Sequence, residues 1–130
     1  MWLGDPKSKH SFTYVPDAGK AMYLLGRNVA SDGQIWHMPT APALTGIQFI
    51  EKAAAAFGVE ARFSVVNKLM IRMLGLFQPV IAETAELYYQ YQYDYIFDSS
   101  KFEKAFGLAP KAYDDGFREQ KGLLNLKAGT

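Results

Sequence analysis

The chain contains no cysteine. That absence excludes a disulfide framework, a cysteine-based zinc site and a thiol nucleophile, and it fits a cytoplasmic protein. Histidine is almost as scarce, with only His10 and His37. Both fall at strand-like positions with no carboxylate at ligand spacing, so neither sequence position marks a metal site or a catalytic triad. An excess of one charge is missing too: 14 Lys+Arg nearly cancel 13 Asp+Glu, leaving a formal +1. Composition therefore gives no electrostatic reason to expect nucleic acid or an anionic membrane as partner.

Long apolar runs are also lacking. The stretch from Leu69 to Phe77 is interrupted by Arg72 and falls far short of the ~20 residues that a membrane span needs. Met1 is not followed by a basic segment and an apolar core, so the expectation is a soluble chain without a targeting signal. No glycine-rich loop sits between a strand and a helix, and there is no G-x-S-x-G elbow or H-E-x-x-H zinc helix. The glycines stand singly at turns and helix ends, which is their structural use.

What is present suits a packed protein. Hydrophobic residues make up 49% and aromatics 15% of 130 residues, enough for one domain that buries roughly two thirds of its unfolded surface. The pattern reads as α+β, a mostly helical lobe with about five or six helices and four short strands. Residues 2–9 read as a loop and "HSFTYV" (10–15) as a strand ended by Pro16. Asp17 is placed to cap a helix "AGKAMYLLGR" with Ala18, Ala21, Met22 and Leu25 on one face.

"QIWHM" (34–38) reads as a strand, and Thr45 with Gln48 has capping-box spacing for a helix that Gly58 should stop. "ARFSVV" (61–66) is strand-like, "KLMIRMLGLF" helical and apolar on most sides, and Pro79 opens a further helical stretch. "YDYIFDSS" (93–100) alternates like a strand. Ser100 with Glu103 offers a second capping box, closed by Gly107. A last short helix follows, and residues from about 121 to 130 read as a flexible tail.

Candidate functional residues are few. Asp114 and Asp115 are the one adjacent carboxylate pair, at the start of a predicted helix, where acidic residues favour the macrodipole. Tyr88, Tyr89, Tyr91, Tyr93 and Tyr95 crowd one segment, and their apolar bodies and polar tips suit either packing or a ligand-facing wall. Lys7, Lys9 and His10 form a small basic loop that is either solvated or an anion contact.

Three stretches together resemble one family. "FTYVPDAGKAMYLLG" (12–26), "GQIWHMP" with "LTGIQFIEKAAAAFG" (33–39, 44–58) and "DYIFDSSKFEKAFGLAPKAYDDGFRE" (94–119) resemble, in order and spacing, the C-terminal region of NAD(P)-dependent epimerase/dehydratase-like proteins. These are the extended or atypical short-chain dehydrogenase/reductases, and the resemblance covers about residues 4 to 120. In that family the glycine-rich cofactor loop and the Tyr-x-x-x-Lys pair lie in an N-terminal Rossmann half. No Tyr of this chain is followed four residues later by Lys, so the resemblance brings no catalytic residue.

The resemblance implies a substrate-side lobe. It implies that NAD(P) belongs to the parent family and that this chain alone holds no cofactor. Some members contact a nucleotide-sugar phosphate through an Arg just before the first of these stretches. His10 aligns best with it here, with Lys9 beside it, so a nucleotide-sugar substrate is in doubt while an anion contact stays open. By the same alignment His37 and Tyr91 would face a small-molecule substrate. The partner expected is a second copy of the chain or a Rossmann-domain chain. An alternative is a non-catalytic interaction module that self-associates through an exposed sheet edge and apolar helix; a small self-contained enzyme is the third reading.

Overall fold

The computed structural model describes residues 2–66, 68–75 and 87–128. Five helices among them are α1 (Val15–Gly26), α2 (Gly46–Phe57), α3 (Lys68–Gly75), α4 (Ser100–Phe106) and α5 (Tyr113–Ala128). They outweigh four two-residue strands, β1 (Trp2–Leu3), β2 (Lys9–His10), β3 (Leu44–Thr45) and β4 (Val65–Val66). The class is mixed α and β, as expected. The chain forms two compact units, each made of two separated stretches: Met1–His10 with Leu44–Ile96, and Ser11–Ala43 with Phe97–Thr130.

In the first unit β1 runs parallel to β4 and β2 antiparallel to β3. β1 also places Leu3 against a small core of Val66, Ile71 and Tyr88. Residues 2–9, expected as a loop, thus contribute both ends to ladders. Gly4, at φ 78°, lies directly against the Tyr91 backbone, where any Cβ would collide. The expected capping box opens α2: Gln48 N–H donates to Thr45 Oγ1 at 3.2 Å and Thr45 N–H to Gln48 Oε1 at 3.0 Å. Gly58 closes the helix at φ 71°, a left-handed conformation that favours glycine.

In the second unit Pro16 sits in the first turn of α1, where its missing N–H costs nothing. Asp17 is not the cap. Tyr14 occupies that position, and Asp17 is only 2% exposed, its Oδ2 accepting the Lys111 N–H at 2.7 Å. The apolar centre is aromatic: Phe102, fully buried, stacks on Phe106 at 4.7 Å, and Trp36 meets both edge-on.

Four strand expectations shrink or fail. At Phe97 and Ile35 side chains take backbone groups that a ladder would use. Residues 11–14 are irregular beyond β2, and Phe97 N–H donates to Ser11 Oγ. Residues 34–38 form no strand; Lys101 Nζ donates to the Ile35 carbonyl at 3.0 Å. Of 61–66 only Val65 and Val66 pair, and of 93–100 only Tyr95 bridges, to His10.

The expected second capping box does not form: the N-cap of α4 is Ser99, not Ser100, and its side chain makes no capping hydrogen bond to the helix backbone. The Ser99 hydroxyl donates to Glu103 Oε1 at 2.7 Å and accepts the Thr40 N–H, while Asp98 Oδ1 accepts from Ser100 N–H. Gly107 ends α4 at φ 64°, as expected. The stretch from 121 to 128 is helical where a tail was expected, because α5 continues through it. The helical stretch expected after Pro79 falls largely on 76–86, outside the described residues. No helix among the described residues is long and apolar enough to cross a membrane.

Candidate functional site

Lys9, His10 and Tyr91 come together in the first unit. The turn at 4–8 brings the buried Ser8 hydroxyl under the Asp5 carbonyl, to which it donates at 2.7 Å; the Tyr91 carbonyl lies farther off at 3.4 Å. His10 Nε2 stands 3.0 Å from the same Ser8 Oγ. With the serine proton directed to Asp5, the oxygen offers His10 a lone pair, and the ring donates from Nε2. That is the reverse of a serine activated by a base, which must give its proton to the imidazole. The pair is built to hold a turn.

The His10 ring lies between two aromatics, edge-on to Trp2 with centroids 6.3 Å apart and tilted against Tyr91 at 6.2 Å. Burial lowers its pKa from the ordinary 6.5, against the opposing attraction of Asp94. Lys9 uses its backbone inward: its N–H donates to Asp94 Oδ1 at 2.7 Å, and its carbonyl accepts the Tyr95 N–H at 2.8 Å. Its exposed side chain and the exposed Tyr91 remain the groups that an anionic or hydroxylated ligand could reach.

His37 belongs to the second unit, exposed, with Nδ1 3.1 Å from the Asp98 carbonyl and the ring tilted over Phe97 at 5.3 Å. An imidazole that donates from Nδ1 to a carbonyl presents Nε2 as an acceptor. The neighbouring Asp98 carboxyl is held below its usual range mainly by the Ser100 backbone N–H.

Sequence reasoning missed a charged cluster in the second unit. Lys111 Nζ pairs with the Glu119 carboxylate and lies 5.1 Å from the centre of the Tyr14 ring. Burial pushes the Tyr14 phenol up, while the ion pair raises Lys111 and lowers Glu119. A phenol working as a base needs the opposite shift, so the cluster suits packing rather than proton transfer. Tyr14 is far in sequence from Lys111 and Glu119, and no local pattern could have joined it to them.

Two shallow apolar grooves complete the description. One, of about 260 Å³ in the first unit, runs between α2 and residues 59–62 and is lined by Phe49, Ile50, Phe57 and Val59. The other, of about 460 Å³ in the second unit, is lined by Gly19, Lys20, Tyr23, Leu24 and Leu108. None of Lys9, His10, His37 or Tyr91 lines either. Among the described residues no group of three His, Cys, Asp or Glu side chains could hold a metal ion. No family model, curated protein or solved structure matches the chain.

Proposed function

We propose that the chain is a cytoplasmic substrate-binding lobe of an NAD(P)-dependent epimerase/dehydratase-like oxidoreductase, present as a fragment or separate subunit and not catalytic alone. The observation that carries this reading is how the family-like stretches join within the second unit. Asp17 accepts from Lys111, and the Asp98 carbonyl faces His37. Trp36 meets Phe102 and Phe106. Contacts among these stretches support a shared packing unit.

The chemical half of such an enzyme must come from elsewhere on this reading. Hydride transfer needs a nicotinamide and an acid/base group aligned on the substrate, and the sequence carries no Tyr-x-x-x-Lys pair. The exposed Lys9 side chain and Tyr91 are the groups of the first unit proposed to meet a small substrate, and His37 is a separate candidate on the second unit. Assaying the purified chain with NADH and NADPH against keto compounds should give no turnover; sustained cofactor oxidation would overturn the proposal.

A second reading is favoured by α3. Leu69, Met70 and Met73 are 67%, 46% and 61% exposed on that helix, an apolar row of the kind that marks association surfaces. On this reading the chain is a non-catalytic interaction module that pairs with its own copy. Light scattering at tens of micromolar decides it: a dimer mass that Leu69→Glu with Met73→Glu abolishes supports the module, and a monomer mass refutes it.

A further inference from the structure

The segment 88–96 is fastened to residues 2–10 by three backbone donors. Asp5 N–H donates to the Tyr91 carbonyl at 2.9 Å, Lys9 N–H to Asp94 Oδ1 at 2.7 Å, and Tyr95 N–H to the Lys9 carbonyl at 2.8 Å. Gly4 lies against Tyr91, and His10 stands in the middle, bridged to Tyr95 and in ring contact with Tyr91. Its Nε2 also braces Ser8, whose hydroxyl orders the Asp5 turn. The imidazole thus touches Ser8 on the turn and Tyr91 on the facing segment.

We infer that His10 is an acid-sensitive fastener, and that its protonation releases the Tyr-rich segment 88–96 from the 2–10 turn. The neutral ring donates from Nε2, so the added proton goes to Nδ1 and puts a positive charge in a half-buried place between Trp2 and Tyr91. Of the elements packed here, β1 and β3 carry no charged residue, the turn carries Asp5, Lys7 and Lys9, and the facing segment carries Asp94 alone. Asp94 attracts the imidazolium, but burial outweighs it and the ring resists protonation.

The sign follows from that direction. A released or unfolded His takes its proton near the ordinary 6.5, and the fastened one only at lower pH. The fastening is therefore complete above the ordinary value and weakens as pH falls through the window between the two. A single proton limits the change to about tenfold in the opening equilibrium per pH unit.

The test uses the whole chain and amide hydrogen exchange, corrected for the intrinsic pH dependence, at about pH 7.5 and about pH 5, the range in which histidine titrates. Protection of the Asp5, Lys9 and Tyr95 amides should fall severalfold at the acid pH, while amides inside α2 keep theirs. In His10→Gln the acid-dependent loss should vanish, and in Asp94→Asn it should persist. Flat protection in the native chain, or an undiminished loss in His10→Gln, overturns the proposal. Should His10→Gln fail to fold, the ring proton signals of native His10 decide: a titration midpoint below 6.5 supports the fastener, and a midpoint at or above it rules it out.

Discussion

Replacing Asp17 by alanine should destabilise the second unit by about 2 kcal/mol, because a charged acceptor is worth roughly 1.5–3 kcal/mol to the donor it leaves. The carboxylate is 2% exposed, and its Oδ2 holds the Lys111 N–H at 2.7 Å. Removing it strands that amide and also takes a negative charge from the first turn of α1, a further loss of about 0.3–1 kcal/mol. Against these stands the desolvation that a buried carboxylate itself costs, which alanine relieves and which keeps the net near the middle of the range.

Two companion variants separate the contributions. Asp17→Asn keeps an oxygen acceptor and should cost about half as much. Lys20→Ala removes an exposed partner 3.8 Å away and should cost less than about 0.5 kcal/mol. Urea unfolding reads all three, with the midpoint shifting at constant slope; for this length the Asp17→Ala loss corresponds to about 6 °C in Tm. Asp17→Ala lying within about 0.5 kcal/mol of the native chain would refute the reasoning. A cost for Asp17→Asn equal to that of alanine would show that charge, not the acceptor, matters.

Other expectations are as direct. Thr45→Ala, which breaks the α2 capping box, should cost about 1 kcal/mol in the same urea series, and Thr45→Ser much less. Gly4→Ala combines a positive φ with a collision at the Tyr91 backbone and should cost about 2 kcal/mol or more, read by the same midpoint. Phe102→Ala, at a fully buried stacked ring, should cost about 3–5 kcal/mol, and retained stability there would contradict the aromatic centre of the second unit.

The fold was legible wherever it is encoded locally. Thr45, Gln48 and Gly58 announce α2 because caps and left-handed stops act within a few residues, and Gly107 does the same for α4. Strands were less legible, since their partners are distant: nothing in "WL" at 2–3 foretells pairing with Val65–Val66. Ser11 and Lys101 also bind backbone groups that an isolated reading assigns to ladders. Asp17 looked like a cap because cap residues and buried first-turn acceptors share one residue type; only the distant Lys111 amide distinguishes them.

The candidate site was half visible. Lys9 and His10 are adjacent in sequence, and Tyr91 stood out by composition; the structure places all three in one unit. His37 lies in the other unit. Ser8 and Asp94, which decide what His10 and Lys9 do, gave no signal: a lone serine two residues before a histidine is common, and Asp94 reaches Lys9 only through the fold.

The measurement that bears most directly on the substrate-lobe proposal is a thermal-shift series with NAD(H), NADP(H), nucleotide sugars and small hydroxy or keto compounds. A ligand at ~100 times its dissociation constant stabilises the fold by about 2.7 kcal/mol, worth about 8 °C at this chain length. The account predicts a shift of that order with at least one hydroxy, keto or sugar compound and none with the nicotinamide nucleotides. A shift with NAD(P)(H) alone, or no shift with any of them, would contradict it.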